Sequence, residues 1–163
     1  MIEWVGSIIQ GFFIGGLYAM FAAGLAIIFG VMRLVNITHG DLIVLAAFVA
    51  MVAIEITGMN PFVSLVIVLP FMFFFGYVLQ RVVLNFTLGD DLLPPLLVTF
   101  GISIILQNLL LELFSADSQR LKAGPVETSS IKVMEGLEIG VLPLVIFVVA
   151  ILMIAIVQQL FNK

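Results

Sequence analysis

Cysteine is absent from the 163 residues and histidine occurs once. The first absence rules out disulfides, thiolate metal centres and cysteine nucleophiles, and it leaves the redox compartment open. The second makes a histidine metal cluster impossible. Charge is scarce, at 10% of residues against about 25% in soluble domains, and no basic patch invites nucleic acid. No serine or threonine has a base and an orienting partner at a plausible spacing, and no Walker-type glycine loop is present. An enzyme is therefore not expected, nor a metal or cofactor, and any ATP hydrolysis has to come from another subunit. Alternation with period two is also missing, which excludes a transmembrane β-barrel. The N-terminus, Met1-Ile2-Glu3-Trp4, lacks the basic region of a secretory signal. The apolar stretch behind it is too long for a signal core, so it is expected to stay as a membrane helix.

What the chain has instead is apolar side chains, at 63% of residues. No soluble fold hides so much, and in lipid every backbone N–H and C=O must be satisfied within its own segment, which makes long apolar runs helices. A spanning helix takes about 20 mainly apolar residues. Five such runs are expected, near 8–31, 38–57, 61–84, 95–115 and 139–161. The fold class is thus all-α, a polytopic bundle of about five spans with an interrupted helix near 30–41, in a single transmembrane domain over 1–163. Pro61 falls in the first turn of the third span and Pro94-Pro95 open the fourth, where a missing N–H costs little. Pro70 and Pro143 are candidates for kinks. The polar stretch 116–138 reads as an extramembrane loop, with a short strand between Thr128 and Val133. Arg33, Arg81 and Lys163 on one side balance Arg120, Lys122 and Lys132 on the other, so the positive-inside count gives no orientation.

Gly11, Gly15, Ala19 and Ala23 recur every fourth residue of the first span and form a small-residue ridge for close helix packing in lipid. The polar residues are more informative. Arg33, Asn36, Thr38, His39 and Asp41 crowd the link between the first two spans. The run from Leu42 to Ile56 alone gives only about 22 Å at 1.5 Å per residue, so the second helix is expected to begin earlier. Thr38 and Asp41 have capping-box spacing, which starts that helix at Thr38 and exposes its positive end at the membrane boundary. Two readings stand: a solute path or gate built on a broken helix, or a capped helix in the headgroup region with Arg33 snorkelling to phosphates. Thr99, Ser103 and Gln107 share a face of the fourth span, with Asn108 and Glu112 beside it. They are read either as a lining of the same path or as interhelical hydrogen-bond glue.

The segment from Gly16 to Ala50 resembles the N-terminal signature of permeases in branched-chain amino acid ABC importers. Gly16, Leu17, Tyr18 and Ala19, then Ile28 to Arg33, then Asn36, His39, Gly40 and Asp41 carry the resemblance, and Leu96 to Phe114 is similar to the family's fourth-span segment. The resemblance implies a bacterial inner-membrane protein that works with a second permease subunit, two ATPase subunits and a periplasmic solute-binding protein. It implies leucine, isoleucine or valine as cargo, with urea, amides or other amino acids as alternatives. It also implies an outer N-terminus and an inner Lys163. Permeases of the family are nearly twice as long, with a cytoplasmic coupling loop beyond the span matching 139–161, so the chain looks like an N-terminal half. Readings of another class are a non-transporting membrane scaffold or assembly partner, and a small channel built through the glycine ridge.

Overall fold

The computed structural model describes residues 2–89, 91–115, 117, 119, 129–134 and 137–161. Arg120, Lys122, Thr128 and Lys163, which entered the loop and orientation readings above, lie outside them, as does most of 116–138. Among the described residues five helices are long and apolar enough to cross a membrane. They are α1 (Ile2–Met32), α2 (His39–Thr57), α3 (Pro61–Val82), α4 (Leu93–Phe114) and α5 (Val141–Phe161). The expected spans are all present. The largest boundary shift is at α1, which begins at Ile2 and extends to about 46 Å at 1.5 Å per residue.

The chain divides into two compact units, residues 1–27 with 123–163 and residues 28–122, so that α1 contributes to both. In the first unit a two-stranded antiparallel hairpin, β1 (Ser130–Met134) with β2 (Leu137–Gly140), leads into α5. Val141 N–H donates to Ser129 O at 3.0 Å where strand gives way to helix. Pro143 stands in the first turn of α5, where its absent N–H removes no helical bond, so the kink expected there has no cause. Phe147 of α5 meets Phe12 and Phe13 of α1 at ring centroid separations of 5.2 and 5.5 Å. Gly16 lies under the same ring: a Cβ there would collide with Phe147. Gly11 and Gly15, half of the expected ridge, would meet nothing within 4 Å. The close approach in this unit therefore falls one position beside the ridge, on the buried Gly16.

The second unit is built on α2, α3 and α4, with α2 packed on both others. Its caps explain its turns. Gly58, in the left-handed region at φ 65°, closes α2 by donating to Ile54 O at 2.8 Å. Two residues on, Asn60 Oδ1 accepts from Phe62 N–H at 3.0 Å, and Pro61 takes the first position of α3. Two caps this close make α2 and α3 sequential neighbours. Pro70 is inside α3, where it removes one ladder bond. A 3₁₀ turn, Leu84–Phe86, follows α3, and Asp91 Oδ1, one residue before the N-cap Leu92, accepts from Leu93 N–H at 3.0 Å at the start of α4.

The exposed apolar side chains are those a bilayer would cover: Phe73 and Phe74 on α3, Leu97, Ile105 and Leu113 on α4, and Ile151, Leu152 and Ile156 on α5. The buried set of the second unit mixes Leu34, Ala53, Val68, Leu84, Leu106 and Leu110 with Asn36, Thr38, Ser64, Thr99 and Ser103. Polar side chains inside and apolar ones outside is the arrangement expected with lipid as the solvent.

Candidate functional site

The helical path stops at Met32 and resumes at His39. Arg33 makes the break: its φ of 52° is left-handed, and its N–H closes α1 on Phe29 O at 2.9 Å. Residues 33–38 then have no ladder of their own, and their polar groups must find partners elsewhere. Asn36 Oδ1 accepts from Thr38 N–H at 3.0 Å, and Asn36 O accepts from His39 N–H at 3.3 Å. These turns of one residue's side chain and carbonyl lead the chain into α2.

The remaining partners come from α4. Ile37 N–H donates to Thr99 Oγ1 at 3.3 Å, and Thr38 Oγ1 donates to Thr99 O at 2.7 Å. Thr99 Oγ1 also donates to Leu96 O at 3.1 Å. Both threonines are 0% exposed. One turn further along each helix, Ser103 Oγ donates to Asp41 Oδ2 and Gln107 Nε2 donates to Asp41 Oδ1 at 3.1 Å, with Gln107 Nε2 also 3.2 Å from Ser103 Oγ. Asn36, Thr38 and Ser103 are buried, Asp41 and His39 half-buried, and Gln107 exposed on the surface of the chain. The result is a polar seam that begins buried at Thr38 and Thr99 and ends open at Gln107.

The capping box expected of Thr38 and Asp41 does not form. Thr38 stands at the cap position but has helical dihedrals, φ −66° and ψ −10°, and makes no side-chain cap bond. Its hydroxyl goes to the Thr99 carbonyl, and the Asp41 carboxylate turns outward to Ser103 and Gln107. A capping carboxylate satisfies only its own helix, whereas here it accepts from two side-chain donors of α4. The carboxylate still lies in the first turn of α2, where the helix dipole favours it.

Seven residues singled out in the sequence are thus joined by the hydrogen bonds above, six of them through their side chains. His39 enters the seam through its backbone. Asn108 stays out of it, bonding back to Ile104 O at 2.7 Å, and Glu55 and Glu112 are exposed. Missing from the sequence reading was the part played by the backbone of Ile37. The sign of it was available: a break before a helix leaves an N–H to be satisfied, and Thr99 is the first hydroxyl on the polar face of α4. Gly40, between His39 and Asp41, is exposed, and a Cβ there would meet nothing within 4 Å. Among the described residues no group of His, Asp and Glu could hold a metal.

The family described as branched-chain amino acid transport system / permease component matches residues 7–163. The high-affinity branched-chain amino acid transport system permease protein BraD of Pseudomonas aeruginosa is 28% identical over 167 aligned residues, covering 92% of this chain and 52% of that protein. The chain therefore spans about half the length of this curated relative. No solved structure matches it.

Proposed function

Because the chain belongs to the family of branched-chain amino acid transport system permease components, we propose that it forms part of the solute path of an ABC importer in the bacterial inner membrane. Its cargo is a branched-chain amino acid, the solute class named for the Pseudomonas relative. A second permease subunit completes the path, two ATPase subunits supply the energy, and a periplasmic solute-binding protein delivers the cargo. The chain itself carries out no hydrolysis. Residues 1–163 act as one transmembrane permease segment, with 116–138 outside the bilayer.

The observation that carries this reading is the Asp41 carboxylate held by Ser103 and Gln107 in a chain otherwise coated with apolar side chains. Ionisable groups inside a membrane face the protein interior or a water-filled cavity and mark solute or ion pathways. Broken helices whose N-terminal ends point at the solute are a recurring way to hold it, and α2 begins at such a break. Asn36, Thr38, His39 and Asp41 on one helix start and Thr99, Ser103 and Gln107 on the other line or gate the path. Gly11, Gly15, Ala19 and Ala23 supply packing surface for a neighbouring helix.

Uptake of labelled leucine tests the reading. Cells lacking their own importer receive the partner subunits with either the 163-residue chain or the chain joined to the second half of a related permease. Saturable, ATP-dependent uptake in either case is the expected result. Copurification of the chain with its partners and no uptake of leucine, isoleucine or valine in both would overturn the reading and leave a scaffold.

A further inference from the structure

A cavity of about 830 Å³ opens in the second unit, between the end of α1 and the segment that precedes α4. Its walls are mainly apolar, with Phe29, Met32, Leu34, Leu88 and Leu92 among them, yet Arg33 and Asp91 both line it. Among the described residues no ion pair joins these two side chains. Resting on the permease reading above, we infer that this cavity is a second, separate station for the cargo, a binding site for a free amino acid with a branched apolar side chain.

The charges decide what can enter. Helix starts usually attract anions, but the start of α4 has no donor to offer. Pro94 and Pro95 lack N–H groups, Leu93 N–H is taken by Asp91 Oδ1, and Leu96 N–H bonds Leu92 O at 3.4 Å. A carboxylate in the cavity therefore has Arg33 as its cationic partner. Asp91 spends Oδ1 on Leu93 N–H, which fixes the carboxyl group in place and leaves Oδ2 for an ammonium. The last carbonyls of α1, beside Arg33, add negative potential on that same flank.

Arg33 itself is held in an uncommon backbone conformation for a long side chain, at φ 52°. Such strain persists where surrounding structure enforces it and gathers at ligand sites. An apolar chamber with one fixed anion and one cation that are not spent on each other fits a zwitterion with an apolar tail. An acid, an amine or a hydrocarbon alone would leave one of the two charges, or both, unanswered.

The same zwitterionic chemistry occurs in phosphatidylethanolamine, so the test separates the two sources. The full chain carries no cysteine, and Leu88→Cys places one reporter on the wall. In nanodiscs of phosphatidylglycerol, leucine is expected to slow thiol labelling at this position, while 4-methylvalerate and isoamylamine, each lacking one charge, do not. Arg33→Gln and Asp91→Asn each raise the half-protecting leucine concentration about tenfold, the change expected for one lost charge-assisted bond. Asparagine keeps the Oδ1 acceptor for Leu93 N–H, so Asp91→Asn is expected to keep the fold. Equal protection by the singly charged analogues, or leucine protection unchanged in both variants, overturns the inference. Protection that appears only with phosphatidylethanolamine assigns the cavity to a lipid headgroup and overturns it too. Uptake by the complete importer with no protection at Leu88→Cys sinks this site and spares the permease reading; protection without uptake does the reverse.

Discussion

Gln107 on α4 donates to the Asp41 carboxylate at the start of α2 across 3.1 Å, in parallel with Ser103 one turn earlier. Two helices far apart in sequence are thereby clipped together by one acid. The contact is polar in a setting where packing supplies most of the helix association, so its removal is expected to affect function more than folding.

Asp41→Asn keeps the size of the side chain and removes the charge. Hydrogen bonds to a charged group contribute about 1.5–3 kcal/mol and neutral ones about half of that. The expected outcome is uptake reduced about tenfold or more at unchanged membrane abundance, read with the complete importer. Asp41→Ala is expected to lose more, because Ser103 then loses its acceptor and Gln107 keeps only the Ser103 hydroxyl.

Thr99→Val removes the acceptor of Ile37 N–H and changes little in shape. This bond is part-buried, so leaving its donor unmatched falls toward the lower end of the about 1–3 kcal/mol that an unsatisfied buried group costs. Thermal unfolding in detergent is expected to show a clear drop for Thr99→Val, whereas Thr99→Ser, which keeps the hydroxyl, unfolds close to the unaltered chain. Equal behaviour of the two variants would remove the hydroxyl from the account of the helix break.

Much of this site can be read in the sequence, but not its connections. Arg33 to Asp41 stand out as polar residues in an apolar chain, and Thr99, Ser103 and Gln107 share a helix face by spacing alone. That the two sets meet is a tertiary fact spanning more than 60 residues, and no local periodicity encodes it. The capping box failed for the same reason. Its spacing is local, while the Thr99 carbonyl that won the Thr38 hydroxyl is not. Helix positions were legible because apolar runs in lipid admit few alternatives, and the start of α1 was missed because Glu3, Trp4 and Ser7 look like an end rather than a first turn.

Glycine packing provides another contrast. Gly16→Ala places a methyl group against the Phe147 ring, and overpacking of this kind costs about 1–3 kcal/mol. Gly15→Ala meets nothing and gains about 1 kcal/mol of helix propensity. Melting temperatures of the isolated chain are expected to move in opposite directions, and Phe147→Leu is expected to relieve part of the Gly16→Ala loss. A fall for Gly15→Ala seen only when the partner permease is present would assign the ridge to that contact.

A seam between α2 and α4 that faces the solute path changes its accessibility as the complex works. Asn36→Cys, His39→Cys and Ser103→Cys each introduce the only thiol of this chain. Labelling with a membrane-impermeant reagent is followed in the assembled importer, with and without ATP and loaded solute-binding protein. Labelling rates are expected to differ between these states at all three positions, with leucine slowing the reaction in the open one. Rates that stay the same in every state would contradict this and leave the seam as a fixed brace between two helices.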